Sequence, residues 1–190
     1  MLEMMRNINI TDLKIRIATE RDEIAYRKLF IFFYKPLFQF ARCLSKEQEA
    51  AEEIVSDVMM KIWEMGKPLA EIRSLKVYLY KSIKNRALNY SSRNHKNRII
   101  SLDADDFAID INSGFLDPEN NLIRKELQEG IAAAIHSLPP KCQVVYKLIR
   151  VDGLGYREVA QIMGISVKTV DRHLNNALHK LVYSMKIYAD

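Results

Sequence analysis

Cysteine is nearly absent from the chain: Cys43 and Cys142 are the only two, and neither belongs to a CxxC pair. Two isolated thiols exclude a disulfide framework and fit buried, reduced side chains in a cytosolic protein. His95, His136, His173 and His179 show no metal-ligand spacing, so neither a metal nor another cofactor is expected. Six Gly and five Pro in 190 residues form no low-complexity tract, and no internal repeat is seen. No window approaches a membrane-spanning run of about eighteen apolar residues. The N-terminus "MLEMMRNINITDLK" carries acids early and lacks the apolar core of a secretory signal, so a cytoplasmic protein is expected. There is no Gly-rich phosphate loop, nucleophile elbow or metal cluster, which argues against a hydrolase or a transferase.

What the chain has is charge arranged in blocks. Residues 1–60 are nearly balanced at net −1, residues 61–100 carry net +8, residues 101–121 net −6 and residues 122–190 net +4. Two basic blocks flanking an acidic tract suggest two polyanion-binding units with a self-repelling spacer. The spacer "SLDADDFAIDINSGFLDPEN" has turn residues and no helical period, so 101–121 reads as a linker between domains over 1–100 and 122–190. Its acids, Asp103, Asp105, Asp106, Asp110, Asp117 and Glu119, are also expected to mask the neighbouring basic blocks weakly when the protein is free.

Both halves read as helical, and no alternating strand pattern appears. The expected fold is all-α: two small helical domains joined by an acidic linker. Asp22–Leu44 places Ile24, Leu29, Phe33, Leu37 and Phe40 on one stripe, with a kink expected at Pro36. Ser45 is the expected N-cap of a helix over Lys46–Met65, whose stripe is Ala51, Ile54, Val55, Val58, Ile62 and Met65. After Gly66 and Pro68, a third pattern from Ile72 puts Leu75, Leu79, Ile83 and Leu88 at helical spacing. Beyond the linker come helices over Asn121–Leu138 and after Pro139-Pro140.

The last segment, "GYREVAQIMGISVKTVDRHLNNALHKLV", has the pattern of a helix-turn-helix. Val159, Ala160 and Met163 face a core, Gly164 permits a tight turn and Ser166 can cap the next helix. Val170, Leu174, Ala177, Leu178 and Leu181 form the second stripe. Lys168, Asp171, Arg172, Asn175 and Asn176 are left on a polar, net positive face suited to a major groove. An ordinary helical hairpin shares parts of this pattern. The agreement of turn, cap, small crossing residue and polar face favours DNA reading.

Between Ile72 and Arg98 there are eight Lys/Arg and no acid, with Tyr78, Tyr80, Tyr90, Asn85 and Asn89 interleaved. Cations hold phosphates, while aromatic and amide groups can stack on or hydrogen-bond unpaired bases. A solvated basic face over a core containing some of the tyrosines is the alternative. The preceding segment concentrates Glu47, Glu49, Glu52, Glu53 and Asp57. They suit docking to a basic protein surface, or simply the helix dipole and solubility.

Together "AAEEIVSDVMMKIWE", "VYLYKSIKNRALNY", "SLPPKCQVVYKL" and the helix-turn-helix with "NNALHKL" behind it resemble a bacterial RNA polymerase sigma factor of the extracytoplasmic-function (ECF) group. The likeness runs from about Glu23 to Val182 and is to the compact two-domain form common in Bacteroidetes. It implies no enzymatic activity, but promoter specificity lent to the polymerase core. Glu52, Glu53, Ser56, Asp57 and Lys61 match the polymerase-docking helix, with Trp63 packed inside; the family often has Gln where this chain has Ser56. The loop around Met65–Ser74 and the helix with Lys81, Lys84, Asn85 and Asn89 match the part that opens and reads the −10 element. Arg73 and Lys76 complete that candidate set. Lys168, Thr169, Arg172 and Asn175 match the helix that reads the −35 element, joined by Asp171 and Asn176 on the same face. The implied partners are RNA polymerase core, promoter DNA and a membrane-anchored anti-sigma protein. The chief rival, a helix-turn-helix regulator with a sensory N-terminal half, explains Gly155–Val182 equally well. It does not explain the basic, Tyr- and Asn-bearing helix.

Overall fold

A computed structural model describes residues 9–45, 47–93, 130 and 133–187. All regular structure among them is helical, and the chain divides into two compact units, Met1–His95 and Lys96–Asp190. The acidic tract 101–121 and its proposed masking lie outside the described residues, as does most of the helix expected over 121–138.

In the N-terminal unit, Asn9 starts α1 (Ile10–Glu20) by accepting the Asp12 N–H on its side chain at 3.2 Å. The sequence reading has no helix here, although Leu13, Ile17 and Ala18 are buried at helical spacing. Asp22 then caps α2 (Glu23–Ser45), accepting the N–H groups of Ile24 at 2.8 Å and Ala25 at 2.9 Å. The Ala25 N–H, with the Arg16 guanidinium, holds the Asp22 carboxyl below its ordinary pKa. α2 continues as one helix through Pro36. Leu29, Phe33, Leu37 and Phe40 are buried as expected, but Ile24 is 66% exposed. It lies five residues from Leu29, whereas Ala25 lies four away and takes the core position.

α3 spans Gln48–Met65 and is not capped by Ser45. Ser45 ends α2 instead, and its hydroxyl donates to the Glu47 carbonyl at 3.0 Å. The expected apolar stripe of α3 is otherwise buried, with Met65 at its end half-buried. Gly66 follows at φ 60°, a conformation that a side chain would strain. A short helix, α4 (Pro68–Glu71), leads to α5 (Leu75–Arg93). α2 packs on α3 and α5, α3 on α5, and α1 on α2 and α4. Burying each large core side chain contributes about 1.5–3 kcal/mol. Leu88 is 39% exposed, and Ala87 is buried beside Ile83 in its place. Tyr80 is also core, with its ring 5.2 Å from that of Phe40, so it cannot stack on a base.

In the C-terminal unit, Gln143 is buried and donates to the carbonyls of His136 at 3.0 Å and Leu138 at 2.7 Å. It ties the end of the preceding helical turns to α6 (Pro140–Tyr146), which begins at the expected proline. α6 widens into a π-helical turn, Lys147–Val151. There the Lys147 ammonium meets the Asp152 carboxylate at 2.6 Å, with both side chains almost fully buried. α7 (Tyr156–Met163) and α8 (Val167–Ile187) follow, and α8 packs on both α6 and α7.

Candidate nucleic-acid interface

The turn between α7 and α8 is built by three residues. Gly164 adopts φ 73°, and its N–H and that of Ile165 both reach the Ala160 carbonyl, at 2.9 and 3.1 Å. Ser166 then caps α8, its hydroxyl accepting the Thr169 N–H at 3.0 Å. At the other end of α7, the Glu158 carboxylate accepts the Gly155 N–H at 2.8 Å. Val159, Ala160 and Met163 of α7 and Val170, Leu174, Ala177 and Leu181 of α8 are buried; Leu178 is only half-buried.

This packing leaves Lys168, Asp171, Arg172, Asn175 and Asn176 exposed on α8. Thr169 is different. It is half-buried, and its hydroxyl lies 2.8 Å from that of Ser166, within the cap. The Asn175 amide donates to Asp171 at 3.2 Å, which orients both groups on the outer face. Val167 was not singled out by sequence reasoning. It is 44% exposed in the first turn of α8, the end of such a helix that enters a groove. Its exposure follows from its place just after the Ser166 cap, ahead of the buried stripe, a signal that apolar periodicity does not carry.

On α5, the structure groups some of the basic set and separates others. Lys81, Asn85 and Asn89 are exposed, with Lys84 and Tyr78 half-buried beside them. Burial first, then Lys81, lowers the Lys84 pKa. The exposed Leu88 lies within this face, one turn beyond Lys84. Lys76 precedes Lys81 by five residues, which turns it roughly 140° around the helix. It is half-buried, away from the Lys81 face. Arg73 is exposed in the segment before α5. The arrangement can neutralise phosphates and offer amide and aromatic groups to bases.

The acidic α3 presents a broad outer face. Glu53 and Ser56 are exposed at its centre, and Asp57 is half-buried and paired with Arg86 of α5. Glu52 and Lys61 are exposed too, but nine residues apart they point in roughly opposite directions. Glu52 also accepts a hydrogen bond from Gln48 at 3.0 Å. Met60, 57% exposed one turn after Ser56, supplies an apolar centre that sequence reasoning missed. Trp63 is half-buried rather than fully inside, 5.1 Å from Tyr26 and below the Arg21 guanidinium. Among the described residues there is no group of side chains able to hold a metal, and no helix long and apolar enough to cross a membrane.

Two family profiles match the chain: "Sigma-70 region 2" over residues 32–97 and "Sigma-70, region 4" over residues 128–181. The first contains α3, α4 and α5, and the second contains α6, α7 and most of α8. The chain is 26% identical over 123 residues to the ECF RNA polymerase sigma-E factor of Haemophilus influenzae, covering 62% of this chain and 65% of that protein. It is 32% identical over 101 residues to the factor of the same name from Salmonella typhimurium, covering 49% and 51%. The chain thus spans less than two thirds of the length of these curated relatives. Its fold is similar to a solved structure of the sigma factor RpoE in complex with the anti-sigma factor NepR from Bartonella quintana. That match has a TM-score of 0.57 and 22% identity and covers 85% of this chain and 97% of that one.

Proposed function

Since the chain belongs to the extracytoplasmic-function group of sigma-70 factors, we propose that it binds RNA polymerase core and directs transcription from a specific set of promoters. The observation that carries this reading is the α5 face, where Lys81, Lys84, Asn85, Asn89 and Tyr78 stand together in a unit separate from the helix-turn-helix. A regulator that only reads duplex DNA has no use for such a face. Cations and amides that can hold a separated strand fit an initiation factor.

In this reading α8 reads the −35 element through Lys168, Asp171, Arg172, Asn175 and Asn176, while Thr169 sets the start of the helix. α5 and Arg73 open and hold the −10 element, with Lys76 acting from outside that face. Glu53 and Ser56 lead the docking to core, with Glu52, Asp57 and Lys61 at the edges. The chain catalyses nothing itself; the polymerase supplies the chemistry in the cytoplasm, where promoter DNA is found. An anti-sigma protein is the proposed keeper of the free factor, a reading supported by the anti-sigma complex among the similar structures; its anchoring in a membrane is part of the proposal.

Run-off transcription with purified core polymerase and genomic fragments tests the proposal. Initiation that depends on this chain is expected. DNA binding without initiation would point instead to a conventional regulator.

A further inference from the structure

Two side chains from the start of the N-terminal unit reach both ends of the segment that joins α3 to α5. Lys14 of α1 is buried, and its ammonium donates to the Ile72 carbonyl at 2.7 Å. Ile72 is the C-cap of α4, and its own N–H turns back to Leu69. Burying an ammonium is costly unless it is partnered, so this lysine is a poor choice for mere packing. At the other end, Arg21 donates to the carbonyl of Trp63 in the last turn of α3. Its guanidinium lies 5.6 Å from the Trp63 ring centroid, and a Cβ on Gly66 would meet it at 3.5 Å. Arg21 is the left-handed C-cap of α1, at φ 56°, with its N–H donating to the Arg16 carbonyl, so the helix end sets the direction from which its side chain leaves.

Between these anchors lie the exposed Lys67 and Glu71; the exposed Arg73 directly follows the Ile72 anchor, and α5 begins at Leu75. We propose that Lys14 and Arg21 are positioning residues for promoter opening: they clamp the α3–α5 segment at both ends and present Arg73 and the start of α5 to the separating strands in one fixed geometry. The proposal rests on the sigma-factor reading above. A loose segment would have to be ordered as the strands separate, and that entropy would be charged to the opening step. Neither residue lies on the outer face of α3 or in the C-terminal unit, so docking to core and upstream DNA binding are independent of the clamp.

The test uses holoenzyme assembled from core polymerase and the full chain, as wild type and as Lys14→Met, Lys14→Arg and Arg21→Ala. Core affinity is measured by titration, and strand opening by permanganate reactivity of promoter thymines. Lys14→Met and Arg21→Ala are expected to leave core affinity unchanged and to reduce opening by about tenfold, the scale of one charge-assisted hydrogen bond. Lys14→Arg, which keeps a cationic donor, should recover part of the loss. Wild-type opening in both defective variants would overturn the proposal, as would a fall in core affinity that matches the fall in opening. If Lys14→Met does not fold, Arg21→Ala decides alone, since Arg21 is exposed. A wild-type chain that binds core but opens no promoter would remove the sigma-factor reading and the clamp with it.

Discussion

Arg86 of α5 donates to the Asp57 carboxylate of α3, so one ion pair ties the helix proposed to hold promoter DNA to the helix proposed to dock on polymerase. Both side chains are more than a third exposed, and the pair contributes at most about 1 kcal/mol. The buried packing of α3 on α5 sets where the two faces lie, and the pair marks where they meet within one unit.

Charge reversal should separate the two roles. Glu53→Lys is expected to weaken core binding and leave strand opening by the assembled holoenzyme intact. Asp57→Lys sets a cation opposite Arg86, so it should weaken core binding and also impair opening. Core titration and permanganate footprinting at saturating core check this. Intact opening by the Asp57→Lys holoenzyme would show that the ion pair does not transmit between the helices.

Upstream DNA binding should depend on Lys168 and Arg172. A lost base-edge contact costs about 1–3 kcal/mol and relaxes specificity at one position. A lost phosphate contact weakens all sequences alike and lowers the salt slope by about one unit. The Lys168→Ala/Arg172→Ala protein is therefore expected to bind promoter DNA more weakly, with a shallower salt dependence. Wild-type affinity and slope would move the reading face elsewhere on α8.

The Lys147–Asp152 pair sits with side chains only 5% and 3% exposed. Asp152→Ala leaves a buried ammonium without its carboxylate and should destabilise the C-terminal unit by about 3–5 kcal/mol. Replacing both, as Lys147→Met/Asp152→Leu, should recover most of that loss. Urea unfolding followed by hydrogen exchange in this unit is the measurement. A single-variant loss below about 1 kcal/mol would mean that the ammonium reaches water.

Acid should weaken the same unit through His173. Burial first, then the charges of Arg172 and Lys141, lower its pKa from the ordinary 6.5. Its Nδ1 lies 3.5 Å from the Cys142 sulfur, whose own pKa burial raises. Because the unfolded chain takes up the proton first, the contribution of His173 is complete above pH 6.5 and is lost as pH falls through the lower folded value. An NMR titration of the His173 ring should give a midpoint below 6.5, and His173→Gln should flatten the stability profile across that window. A midpoint at or above 6.5 would contradict this.

Legibility in the sequence followed periodicity and local chemistry. The helix-turn-helix could be read almost completely, because Gly164, Ser166 and two apolar stripes each act within a few residues. The α2–α3–α5 core was legible for the same reason, and its errors, Ile24 and Leu88, are positions one step off a stripe. Ser45 was misread because a hydroxyl before an acidic run looks like a cap whichever helix owns it. What the sequence could not disclose were contacts made over long separations. Lys14 meets Ile72 across 58 positions and Arg21 meets Trp63 across 42, and nothing local marks either pair. Lys147 and Asp152 are close in sequence, but five residues apart on an α-helix they diverge; only the π turn brings them together. Thr169 matched a base-reading position by resemblance, and its place in the cap emerged only from the side-chain geometry.

The two cysteines are each buried in a different unit, Cys43 in α2 and Cys142 in α6. A thiol reagent can reach either sulfur only when the surrounding helices part, so alkylation rates of the native protein measure the opening of each unit separately. The chain thus carries its own pair of internal clocks, one per unit. They would show whether polymerase or DNA steadies one half while the other continues to breathe.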